Sequence, residues 1–87
     1  MKKIVFGETI VKIDWEDAWS NTDYWTIAEI KDRPTYDMIL VGIVIRNDKT
    51  GITVARERLP NLSDGEMRFR DIQHIPRAMI RKVKILG

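Results

Sequence analysis

Hydrophobic and polar positions alternate with a period of two along much of this chain, which predicts a mainly β protein. From Thr9 to Trp15, Val11, Ile13 and Trp15 fall on one side and Lys12 and Asp14 on the other. Residues 38–46 read MILVGIVIR. A near-continuous apolar run of this length predicts a central strand, buried on both faces or bent through the core, with Gly42 as the place to bend. A third strand follows over 52–59. A fourth, over 67–75, sets Met67 and Phe69 against Arg68 and Arg70. The alternation breaks at Asp71, where a bulge or the strand end is expected. The last strand, 80–86, turns Val83 and Ile85 inward between Arg81, Lys82 and Lys84. Residues 2–6 suit a short strand or an arm that Gly7 interrupts.

Turn chemistry separates these runs. Asn47-Asp48-Lys49-Thr50-Gly51 predicts a hairpin loop with glycine where positive φ is needed. Residues 60–65 are a second turn, and Pro76 opens a tight turn over Arg77-Ala78-Met79. A helix is expected after the first long strand. Ser20, Asn21 or Thr22 would cap it, Asp23 suits its first turn, and Pro34 closes it. Tyr24, Ile27 and Ala28 fall at helical spacing, so the helix is expected to lie as a lid on the sheet. A strand over 24–30 is the alternative.

Five short strands with one interrupting helix predict a small barrel, which removes sheet edges. Ile75-Pro76-Arg77-Ala78-Met79-Ile80 resembles the Ile-Pro-x-x-Tyr-Val segment of the Src-homology-3-like barrels, where a tight turn leads to the last strand. Val11-Lys12-Ile13-Asp14-Trp15 is loosely similar to that family's Ala-Leu-Tyr-Asp-Tyr start. The Sm-like barrels have a similar strand layout. Met79 stands where the family has tyrosine, and its paired tryptophans have no counterpart near Ile52, Thr53 and Val54. The resemblance therefore implies the barrel rather than a groove for proline-rich peptides. The Asp/Trp-rich early segment, the Val-Gly strand and the Ile-Pro turn also resemble short proteins of bacteriophages and prophages. That resemblance implies a small accessory protein in the host-cell cytoplasm, not an activity.

At 87 residues the chain is read as a single domain, 1–87. So short a chain has a modest core, and oligomerisation is a natural source of further stability. There is no cysteine, hence no disulfide framework or thiolate zinc site, in keeping with a reducing cytoplasm. The apolar start is broken by Gly7, Glu8 and Lys12, unlike a signal peptide, and no window approaches the ~18 apolar residues of a membrane span. No membrane partner is expected.

Motifs for chemistry are scarce. Asp48-Lys49-Thr50-Gly51 matches the phosphorylated-aspartate motif of cation pumps, but between two strands it reads as a turn. Asp71 and His74 are too few ligands for a metal site in one chain. No residue set points to a cofactor. Asp14, Glu16, Asp17 and Asp23 lack the pocket that paired acid–base carboxylates need. A non-enzymatic protein is the expectation. Asn61-Leu62-Ser63 is a sequon that reads as a turn.

Two charged features remain. Residues 14–25 read DWEDAWSNTDYW, carry −4 and hold all three tryptophans, in a chain of net +2. Trp15 is expected in the core. Trp19, Glu16, Asp17 and Asp23 are the candidates for contacting a protein partner, because an exposed tryptophan among carboxylates suits a protein interface. The second feature is Arg56 and Arg58 on one strand and Arg68 and Arg70 on the next, extended by Arg77. A hairpin of these strands would allow four guanidinium groups to cluster on one face and bind an anion, nucleic acid or a nucleotide. The leading expectation is an oligomeric interaction module that binds a protein partner or itself. The alternative is a nucleic-acid or nucleotide binder with a possible anti-defence role. The acidic stretch of one copy docking on the arginines of another would make a heterologous contact, which builds rings or filaments.

Overall fold

The computed structural model describes residues 3–17, 24–31, 36–60 and 64–87. The protein is mainly β. Its elements in chain order are β1 (Ile10–Asp17), α1 (Ile27–Lys31), β2 (Tyr36–Asp48), β3 (Gly51–Leu59), β4 (Arg68–Pro76), a 3-10 turn (Arg77–Met79) and β5 (Ile80–Ile85). All pairings are antiparallel, in one sheet ordered β4-β3-β2-β1-β5. The strands, the helix after β1 and the 3-10 turn before β5 match the pattern. The ladder ends at β4 and β5, so the sheet is not closed by pairing.

β2 is the hinge of the sheet. Tyr36–Ile43 pair with β1, whereas Ile43–Asp48 pair with β3, and only Ile43 serves both. An extra residue, Ile45, bulges out between Val44 and Arg46. Gly42 is where β2 crosses close to β3. A Cβ there would lie 3.0 Å from the Cβ of Val54 and from the carbonyl oxygen of Ala55. The glycine therefore permits a close approach, while the extra residue that bends the strand is Ile45.

The inner face of the sheet is the core. Val11 and Ile13 from β1, Leu40 and Val44 from β2, Ile52 and Val54 from β3 and Ile75 from β4 form one buried cluster. Trp15, Met79, Ile80 and Ile85 pack around it, which places Trp15 as its spacing implies. The amino-terminal segment folds back on the sheet: Gly7 N–H donates to Val44 O (2.8 Å) and Val44 N–H to Thr9 O (2.9 Å). Gly7 has φ of 84°, and Phe69 lies so near that a Cβ would meet its ring at 3.1 Å.

The β2–β3 loop is a tight turn. Asp48 faces Gly51, and the Asp48 carboxylate accepts from the Thr50 N–H (2.9 Å) and hydroxyl (2.5 Å). These bonds hold its pKa below the ordinary 3.8. Gly51 has φ of 149°, and a Cβ there would meet the Ile75 carbonyl oxygen at 2.1 Å. Arg77 locks this turn to the 3-10 segment by donating to Asn47 Oδ1 and Asp48 O, both at 2.5 Å.

The helix departs from its expected position. It starts at Ile27, capped by Thr26, whose hydroxyl accepts from the Glu29 N–H (3.2 Å) while Glu29 accepts from Thr26. This reciprocal capping box is written in Thr26-x-x-Glu29. The caps proposed at Ser20, Asn21 and Thr22, the first-turn Asp23 and the closing Pro34 lie outside the described residues. The helix buries none of its residues and is no lid: Tyr24 is 104% exposed and Ile27 87%. Five residues are too few to hold a helix against the sheet by one apolar stripe.

The solvent face of the sheet as candidate site

Strand alternation sends every second side chain to the face opposite the core. On that outer face the register aligns one row across the sheet. Ile10 of β1 faces Ile43 of β2, Ile43 faces Ala55 of β3, and Ala55 faces Ile72 of β4. Beyond β5, Leu86 donates its N–H to Ile10 O (2.8 Å) and turns outward next to the inward Ile85. Val41 and Ile39 continue the apolar surface along β2. Ile72 is 56% exposed and Ile39 66%, while Val41 and Leu86 are also exposed. The result is an apolar belt from Leu86 to Ile72; its exposed members are Leu86, Ile10, Val41, Ile39 and Ile72, while Ala55, where it crosses β3, is fully buried.

The belt has charged borders. Lys12 stands between Val41 and Lys84, and Asp14 between Ile39 and Lys82, so charge lies directly beside the β2 part of the belt. On the other side Arg46, Thr53 and His74 form a polar row. The Thr53 hydroxyl lies 2.7 Å from His74 Nδ1, and Arg46 Nη2 3.4 Å from the same nitrogen. Arginine can only donate, so Nδ1 is the acceptor in both contacts.

The chain resembles nothing it was compared with: no protein-family model, curated protein or solved structure matches it. The site is therefore argued from its own residues.

The arginine set behaves differently from the expectation of one cluster. β3 and β4 do pair, but Arg58 faces Phe69 and Glu57 faces Arg70. Arg56 and Arg58 thus share the core-side face, and Arg68 and Arg70 the outer face. Each is engaged. Arg56 pairs with Asp71 (3.8 Å), Arg70 with Glu57 (2.5 Å), and Arg68 with Asp64. Arg58 donates to Gly7 O (3.2 Å). Asp64 is held below the ordinary carboxylate range by the Arg68 guanidinium, and Glu57 raises the pKa of Arg70. Arg77 is committed to the β2–β3 turn. A shallow cavity of about 210 Å³ lies where the end of β3 meets the start of β4, lined by Glu57, Arg58, Leu59, Arg68, Phe69 and Arg70.

The acidic candidates are only partly in view. Glu16 pairs with Arg81, and Asp17 faces Tyr36. Trp19 and Asp23 lie outside the described residues. Asp71 has φ of 60°, and the ladder skips the Arg56–Asp71 pair without changing register, which accounts for the broken alternation there. His74 and Asp71 belong to different partners. No group of three or more His, Cys, Asp or Glu able to hold a metal occurs among the described residues. No helix among them is long and apolar enough to cross a membrane.

Proposed function

We propose that the chain is a non-enzymatic β interaction module that binds another polypeptide across the outer face of its sheet. The observation that supports this reading is the set of exposed apolar side chains Leu86, Ile10, Val41, Ile39 and Ile72 on one face of the sheet, joined by the half-buried Ile43. Isolated exposed hydrophobics are ordinary, but a contiguous patch rimmed by charge is a binding surface. The resemblance to Src-homology-3-like barrels and to small phage proteins extends the reading to an accessory protein of a phage, acting in the host cytoplasm. Anion binding by the arginines is the less supported reading, because it requires guanidinium groups freed from Asp71, Asp64 and Glu57.

A triple variant, Ile39→Ser with Val41→Ser and Ile72→Ser, tests the module. It should keep the far-ultraviolet spectrum and cooperative unfolding of the parent, because none of the three side chains is in the core. Polypeptides retained by the immobilised parent, further copies of the chain included, should be lost by the variant. If parent and variant retain the same polypeptides, or if neither retains any, the module reading is wrong.

A further inference from the structure

The belt needs an occupant, and the surface budget of the chain indicates one. A compact monomer of this mass exposes about 5300 Å², whereas this chain exposes 6846 Å². Its radius of gyration is 16.8 Å, against about 12 Å for a compact domain of this length. The surplus, roughly 1500 Å² per chain, is of the size that each partner contributes to an obligate interface; the exposed segment 24–31 accounts for part of it and the outer face of the sheet for another part. An 87-residue chain whose described residues bury so few side chains is the kind that gains further burial from a subunit.

The two sheet edges are poor routes to such burial. On β4, Asp71 sits at positive φ where the ladder breaks, Arg68 and Arg70 flank it, and Pro76 closes the strand. On β5, the register shifts beside Trp15 around the extra residue Arg81, and Lys82 and Lys84 follow. Charge, irregular backbone and proline are what blunts an edge against strand addition. The outer face leaves Ile39 and Val41 of β2 exposed, with Lys12 and Asp14 of β1 directly opposite them. An apolar patch flanked by charges of both signs can meet its own copy about a twofold axis.

From these observations we infer that the occupant of the belt is a second copy of this chain, packed face to face about a twofold axis with β2 at the centre. The inference rests on the module reading and narrows its partner. It replaces the heterologous docking of acidic stretch on arginines with an isologous, closed contact, which gives a dimer rather than a ring or filament.

The test is sedimentation equilibrium of the purified full chain, alone and with Val41→Asp. The parent should have twice the mass of the chain, and the variant should dissociate roughly 100-fold more readily, because a carboxylate would be buried unpaired. Val41→Thr keeps the branched shape and strand preference, and decides the matter if the aspartate variant does not fold. It should weaken the dimer about tenfold. A parent that is monomeric at millimolar concentration overturns the second-copy inference. The module reading then stands or falls separately on the capture difference of the triple serine variant. A parent that dimerises as tightly with Val41→Asp or Val41→Thr has its interface elsewhere, which also overturns the inference.

Discussion

Both faces of this sheet carry apolar side chains, and the two sets have opposite fates. Inward, Val11, Ile13, Leu40, Val44, Val54 and Ile75 are sealed from water. Outward, Ile10, Ile39, Val41, Ile72 and Leu86 stay exposed in the single chain. An ordinary half-solvated antiparallel sheet has polar residues on its outer face. Here folding uses one surface and leaves apolar side chains exposed on the other, the surface that the proposed association would cover. The difference is also one of neighbours: Ile4 of the amino-terminal segment, Met79 of the 3-10 turn and Ile80 and Ile85 of β5 pack against the inner cluster, whereas Ile39, Val41 and Ile72 stay exposed on the outer face.

Substitutions on the two faces should separate cleanly. The largest effect is expected for Ile13→Ala, which removes a fully buried side chain and should cost about 3 kcal/mol in urea unfolding. Gly42→Ala should cost about 2 kcal/mol, since the new methyl meets Val54 and the Ala55 carbonyl at 3.0 Å. On the outer face, Val41→Ser should change unfolding of the dissociated chain by no more than about 0.5 kcal/mol. The same variant should remove the dependence of the melting temperature on protein concentration that a dimer imposes. Equal losses at Ile13 and Val41 in the monomer would erase the distinction between the faces.

Smaller effects lie away from both. Thr26→Ala removes the reciprocal cap of α1, and the amides of 27–31 should lose protection from hydrogen exchange while the global midpoint stays put. In the β2–β3 turn, the lowered pKa of Asp48 means that its contribution is complete above the ordinary 3.8 and is lost as pH falls through the lowered value. Replacing Thr50 by alanine should return the Asp48 carboxyl upward in an NMR titration. An unchanged titration would show that the Thr50 bonds are not its cause.

Much of the fold was legible in the residues, because alternation and turn chemistry are local. Val11, Ile13 and Trp15, the Asp48–Gly51 turn, the PRAM turn and the irregularity at Asp71 all stand where the spacing placed them. The helix start was obscured by three cap-forming residues upstream, although Thr26-x-x-Glu29 carried the stronger signal. The fate of the arginines was not local. Whether Arg58 shares a face with Arg68 depends on the register across the 60–67 connection, and one residue of register moves every side chain to the other face. Glu16, Asp17, Trp19 and Asp23 were chosen for composition, which locates a partner-binding segment only if nothing inside the chain uses it, and Glu16 meets Arg81. The outer belt also leaves a signal in the residues. MILVGIVIR is continuous because both faces of β2 are apolar, and continuity alone does not say whether the second face is covered by the same chain or by another.

Cross-linking gives the most direct test of that covering. The chain has no cysteine, so a single one can be placed at will. Val41→Cys lies on the central strand of the belt, and Lys49→Cys in the turn lies about 26 Å further along the strand direction. With a short bifunctional maleimide in dilute solution, Val41→Cys should give covalent dimers and Lys49→Cys should give almost none. Equal yields at both positions, or no dimer at Val41→Cys, would contradict a dimer packed through the outer face of the sheet.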